Sequence, residues 1–157
     1  MGLLAASLIL TIALPARPRL VWNETASAPI GLYSVRAVVS ISKGEMVLAD
    51  MPAPWRVLAD QRHYIPIDVP LIKRVAAAAG DKVCAFDDRI TINDARAAKR
   101  HRKDRRGRLL PWWNGCRTVM SGDAFLLMDN PDSFDGRYFG ITPGSMVLGK
   151  AGLLWAR

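Results

Sequence analysis

Ser27 and Lys73 are the two side chains of this 157-residue chain whose types and settings could together break a peptide bond. Ser27 lies in the run Asn23-Glu-Thr-Ala-Ser-Ala-Pro-Ile-Gly-Leu-Tyr33, a loop shaped by Pro29 and Gly31. A serine in a Pro/Gly loop is by itself ordinary turn chemistry. Lys73 is less ordinary, because the apolar run around it, Val69-Pro-Leu-Ile-Lys-Arg-Val75, reads as a buried strand. Desolvating an ammonium is costly, so such a lysine either snorkels its head to water or gives up its proton more readily than usual. A neutral amine can take the proton of a serine hydroxyl. Arg74 is expected on the opposite, solvated face. The two histidines, His63 and His101, and the two cysteines, Cys84 and Cys116, are too few and too scattered for a zinc site. Neither histidine has a context suited to a serine triad. No metal or cofactor is expected.

The elements that must hold these two residues are short and β-like, with turn signals between them. Strands are expected over 31–39, over 45–49 after the Lys43-Gly44 turn, and over the lysine run, which turns at Gly80-Asp81. A short helix is expected over 55–64, following the break Met51-Pro-Ala-Pro54. Residues 82–86 and 89–92 read as a hairpin around Asp87-Asp88. A buried strand is expected to end near Met128, and Met146-Val-Leu-Gly with Leu153-Leu-Trp155 reads as a closing strand pair. Together they describe a mainly β, antiparallel domain.

The formal net charge of +8 admits two partner classes, nucleic acid and an anionic bilayer surface. Residues 1–14 (MGLLAASLILTIAL) carry no charged side chain. They fall short of the roughly 17–25 apolar residues of a spanning helix. The expectation is an N-terminal apolar anchor or uncleaved signal over residues 1–22, completed by Leu20-Val21-Trp22, followed by one β domain over 23–157. A cleaved signal and a core helix are the other readings of the same run, and Arg17 and Arg19 oppose an outside domain under the positive-inside tendency. The segment 95–108 (ARAAKRHRKDRRGR) is expected as a solvated basic loop or insertion that buries nothing. Contact with anionic lipid or an acidic partner is its second reading. Specific nucleic-acid binding is not expected, because no recognition helix or aromatic array accompanies the charges. Trp112-Trp113 beyond it would anchor at an interface or pack in the core.

Four segments in order resemble a known family. The run 23–33 is similar to the nucleophile box of the conjugal-transfer (TraF-type) signal peptidases, a branch of the bacterial type I signal peptidases. Leu71-Ile-Lys-Arg-Val75 with Gly80-Asp81 resembles the lysine box, with Ala79 where a proline is common. Gly122-Asp123 and Met128-Asp-Asn-Pro-Asp-Ser-Phe-Asp-Gly-Arg-Tyr-Phe-Gly140 resemble the acidic box, and Val147-Leu-Gly-Lys-Ala151 the closing strand. Ala28-Pro29 stands where the general family has methionine after the serine, which is the form of the conjugal branch.

The resemblance implies a β domain of signal-peptidase (LexA-like) type, with Ser27 as nucleophile and Lys73 as general base. It implies Thr25 in the oxyanion hole beside the Ser27 amide, Ser133 and Asp135 orienting the lysine, and Arg137 holding Asp135. Asp132 is a rival for the Asp135 role. It also implies a monomeric peptidase at the inner membrane, with its catalytic domain on the periplasmic side. Its partners would be membrane lipid and a pilin-type precursor with small residues at the cut, whose product could be cyclised. In an exported domain, Cys84 and Cys116 flank the basic segment as a disulfide would. The competing readings are a LexA-like self-cleaving regulator, which needs a helix-turn-helix ahead of the β domain, and a non-enzymatic basic binding module.

Overall fold

The computed structural model describes residues 19–157, so the apolar run 1–14 and the anchor expected from it lie outside the described residues. Two antiparallel sheets make up the domain. The larger has six strands: β1 (Leu20–Asn23), β2 (Gly31–Arg36), β3 (Met46–Ala49), β4 (Leu71–Ala77), β9 (Phe125–Leu127) and β10 (Val147–Ala156). Their spatial order is β1-β2-β10-β3-β4-β9. The smaller sheet is formed by β5 (Lys82–Phe86), β6 (Arg89–Ile92), β7 (Ala95–Lys99) and β8 (Gly115–Thr118), in the order β7-β6-β5-β8. Helix α1 (Ala53–Gln61) starts behind Pro52, whose missing N–H costs nothing at a helix start. The short helix α2 (Gly136–Phe139) is capped by the Asp135 side chain, which accepts from the Arg137 amide.

Strand β4 lies between β3 and β9, with Lys73 opposite Val47 and Arg74 opposite Leu127. Both of its faces are covered. Ile72 packs with Tyr33, Leu48 and Met128, while Val75 packs with Val47, Ala124 and Leu126. A strand covered on both faces reads as a continuous apolar run instead of an alternating one.

Three expectations are corrected. Leu20-Val21-Trp22 do not complete an anchor: they belong to β1, which pairs with β2 from Leu20 opposite Ser34 to Asn23 opposite Gly31. The closing strand pair is one ten-residue strand, because β10 bulges near Leu148 and Leu154 and stays paired throughout. Gly31 faces the second bulge, where an added Cβ would lie 2.0 Å from the Trp155 carbonyl oxygen.

The third correction concerns the basic segment 95–108, which is not a solvated loop that buries nothing. Its first five residues are β7, and Arg100 is 1% exposed. Arg100 donates to the carbonyls of Asp87 and Trp113 at 2.7 and 2.6 Å and to Asn114 Oδ1 at 3.0 Å, and it stacks on Trp112. Backbone acceptors outside the segment therefore bury one of its charges. Trp113 packs against the core of the smaller sheet, and its indole N–H donates to Gly136. Cys84 and Cys116 stand directly opposite on β5 and β8 and are joined by a disulfide, with Cα atoms 4.0 Å apart. Among the described residues no helix is long and apolar enough to cross a membrane.

Candidate active site

The loop between β1 and β2 presents Ser27, and Asn23 organises it. The Asn23 amide group shares its hydrogens among the carbonyls of Thr25, Ala28 and Pro29 at 3.0, 3.2 and 3.0 Å. Its Oδ1 accepts from the amide of Thr25 at 3.3 Å and from the Thr25 hydroxyl at 2.9 Å. The buried Tyr33 hydroxyl donates to Pro29 O at 2.9 Å, and Asn130 donates to Ala26 O at 3.2 Å. One buried amide side chain thus replaces the ladder that the turn interrupts.

Strand β4 carries Lys73 to this loop. Lys73 Nζ lies 2.8 Å from Ser27 Oγ and 2.9 Å from Ser133 Oγ, donating to both when protonated. The side chain is 2% exposed. Burial drives its pKa down from the ordinary lysine value to about 8; Asp135 acts in the opposite direction, and Arg137 partly offsets Asp135. Burial outweighs the field of Asp135, so about a tenth of the amine is neutral one pH unit below that value. The neutral amine has a lone pair free to accept the Ser27 hydroxyl proton, while its remaining hydrogens keep the bond to Ser133.

Asp135 and Arg137 form a closed unit behind Ser133. Arg137 Nε is 2.8 Å from Asp135 Oδ1 and one terminal nitrogen is 3.1 Å from Oδ2. The other guanidinium hydrogens go to the carbonyls of Met128, Pro131 and Lys99, so all five donors are used. Asp135 also accepts from the amides of Met128 and Arg137. It has no direct hydrogen bond to Lys73; its reach is electrostatic, and Ser133 makes the contact. Asp132 points elsewhere, to Arg105 and toward His101 at the surface. Arg74, expected to be solvated, pairs with Asp129 at 2.8 Å on the outer face.

Thr25 Oγ1 lies 3.1 Å from Ser27 Oγ. Its hydrogen is directed to Asn23 Oδ1, so serving a developing oxyanion needs a rotation of that hydroxyl. The loop therefore brings Ser27, Thr25, Lys73 and Ser133 into one chain of contacts, with Asp135 and Arg137 as its support. Asn23 and Asn130 had no assigned part in the sequence reading. Both lie in turns, where an asparagine side chain commonly accepts from the backbone amide two residues on, as Asn23 does from Thr25 and Asn130 from Asp132.

A cleft of about 650 Å³ opens from Ser27 and Lys73 toward residues 62–65, just beyond α1, and the basic segment. Met51, Ile65, Leu71 and Phe134 give it apolar surface. On the other side of Ser27 a shallower depression runs along Pro29, Ile30, Met128 and Asp129. An extended chain can thus pass the serine with contacts on both sides.

The family model for signal peptidase, peptidase S26, matches residues 1–156. Two plasmid transfer proteins TraF from Escherichia coli are each 33% identical to this chain. One aligns over 138 residues, 80% of this chain and 77% of its own length; the other over 130 residues, 75% and 72%. Among solved structures, a signal peptidase I from Enterococcus faecalis V583 aligns with a TM-score of 0.41 at 21% identity. That alignment covers 73% of this chain and 98% of the other, and it is too loose to bear on the fold. The family match over nearly the whole chain places it in the signal peptidase family, peptidase S26, in the TraF-type branch, as a serine peptidase that processes exported precursors.

Proposed function

We propose that the chain is a membrane-associated endopeptidase in which Ser27 is the nucleophile and Lys73 the base, and that its substrate is a conjugative pilin precursor. The observation that carries the catalytic assignment is the 2.8 Å contact between Ser27 Oγ and a buried amine whose pKa lies at about 8. Ser27 Oγ attacks the scissile carbonyl carbon while Lys73 Nζ takes the hydroxyl proton. The Ser27 amide and the Thr25 hydroxyl, rotated off Asn23, donate to the oxyanion; each such donor is worth about 2.7–4 kcal/mol in the transition state. As the tetrahedral species collapses, Lys73 returns the proton to the leaving amine and an ester to Ser27 remains. Water, deprotonated by the same amine, releases the acid. An amine terminus of the substrate attacking that ester would give a cyclic product.

Plasmid transfer in the names of the relatives supports a conjugative substrate. Membrane association is supported by exposed apolar side chains, Leu20 and Trp22 of β1 and Trp155 of β10, with the two indole rings 5.6 Å apart. They lie where the chain leaves for the apolar run 1–14. A location on the periplasmic side of the inner membrane is supported by the family's processing of exported precursors and by a disulfide, which suits that compartment. The test is cleavage of a labelled pilin-type precursor with small residues at the cut. Wild type should process it, and Ser27→Ala and Lys73→Ala should each abolish processing while retaining the wild-type melting profile. Processing by either variant refutes the dyad.

A further inference from the structure

The catalytic cleft is walled by cations that the fold holds in place. Six Lys/Arg side chains line it, against two carboxylates, Asp104 and Asp132. Both carboxylates are already engaged: Asp132 by Arg105, and Asp104 by Arg108 and the Tyr64 hydroxyl, the latter at 2.5 Å. Burial pushes the Asp104 carboxyl up, but hydrogen bonds from Tyr64 and from Arg108 and Arg106 more than reverse this and hold it well below the ordinary range. Besides Lys73, the cleft cations Arg62, Lys103 and Arg106 have no carboxylate partner among the described residues; Arg62 donates to the Leu109 carbonyl at 2.9 Å, and Lys103 and Arg106 are the unpaired charges of the basic loop.

A mobile basic loop would spread its charges in water. This one is closed by backbone bonds from Leu110 to Arg102 and from Asp104 to Arg108, both 2.9 Å. Asp104 Oδ1 also accepts the amides of Arg106 and Arg108 at 2.8 and 2.9 Å. Tyr64, just beyond α1, pins that carboxylate from the far side of the cleft. The loop thus keeps two uncompensated positive charges on the rim of the groove that leads to Ser27, against their mutual repulsion. A fixed positive rim on a groove with low-dielectric walls concentrates its field where the substrate must lie.

We propose that Lys103 and Arg106 select substrates with acidic side chains near the scissile bond, the apolar floor taking the small residues at the cut. The inference rests on the peptidase reading above and specifies its substrate. The occupant is an acidic polypeptide segment; a bilayer headgroup is the competing occupant of the same charges.

The test uses labelled peptides sharing one small-residue cut, with Glu or Gln at each flanking position in turn. Binding is read by anisotropy on Ser27→Ala, so it needs no turnover. At low salt at least one Glu peptide should bind roughly five- to tenfold tighter than its Gln twin, and the difference should vanish in about 0.5 M NaCl. Lys103→Gln/Arg106→Gln, built on Ser27→Ala, should lose the discrimination. Arg89→Gln/Arg96→Gln, which removes the same charge from side chains that do not line the cleft, should keep it. Equal binding of every Glu and Gln pair overturns the proposal. So does retained discrimination in Lys103→Gln/Arg106→Gln, or absent discrimination with loss of phosphatidylglycerol-vesicle binding in that variant. Turnover of the same peptides by wild type reports separately on the peptidase reading.

Discussion

At the scale of single residues, the chemistry turns on how far burial lowers the Lys73 pKa. With Lys73 as the proposed base, activity requires the unprotonated amine, so kcat/KM should climb with pH and level off above about 8. At a pH one unit below that midpoint, the rate constant should be about a tenth of the plateau. A rate profile measured with a precursor peptide checks this, and a flat profile through that range removes Lys73 as base. Asn23 makes a second prediction. Its side chain serves the carbonyls of Thr25, Ala28 and Pro29 and also holds the Thr25 hydroxyl. Asn23→Ala leaves the buried Ala28 carbonyl unpaired, at a cost of about 1–3 kcal/mol, while Pro29 O keeps the Tyr33 hydroxyl and Thr25 O the Ala28 amide. It should lower kcat more than it raises KM, because the loss falls on the placement of Ser27 and Thr25. Steady-state kinetics on a folded variant distinguishes the two effects.

Among the elements, α2 and the turn before it decide which carboxylate matters. Asp135 is fully buried, caps α2 and engages Arg137, whereas Asp132 lies at the surface against Arg105. Asp135→Asn would leave the Arg137 guanidinium buried without its counter-charge, a loss of about 3–5 kcal/mol. Asp132→Asn should stay within about 1 kcal/mol, since an exposed pair is screened. Urea denaturation of the two variants measures both, and equal losses would contradict the assignment. From sequence alone the two aspartates were rivals, because Asp-Asn-Pro-Asp-Ser is turn chemistry whichever one is buried. What separates them is the covering of α2: His101 N–H donates to the Tyr138 hydroxyl and Trp113 to Gly136 O. Those contacts span 37 and 23 residues, and no local pattern encodes them.

For the molecule as a whole, the disulfide staples β5 to β8 within the smaller sheet, at the base of the excursion that carries the basic segment. Cys84 and Cys116 close a stretch of 32 residues that contains β6, β7 and the basic wall. In the chain-entropy account, a bridge of that span stabilises by about 2–4 kcal/mol. Adding a reductant should therefore lower Tm, while Cys84→Ala/Cys116→Ala should be insensitive to it; calorimetry with and without dithiothreitol reads the difference. The pairing of β5 with β8 leaves the two cysteines facing each other only because the intervening segment folds back as β6 and β7. Their flanking positions suggested the bridge; the register made it.

Local sequence determined a good deal about this protein. The apolar run through Lys73, the Pro/Gly loop at Ser27 and the Gly/Asp punctuation specified buried strands, a tight turn at Ser27 and an antiparallel β domain, because burial and turn geometry act over a few residues. The four boxes in order carried the family resemblance. Tertiary structure decided what depends on distant partners. It pairs Leu20–Asn23 as a strand, keeps β10 continuous through two bulges, buries Arg100, sets Asp135 behind Ser133 and leaves Lys103 and Arg106 on the cleft. Charge and hydropathy along the chain are silent on these points, since whether a polar group is exposed depends on which acceptors the fold brings to it from elsewhere.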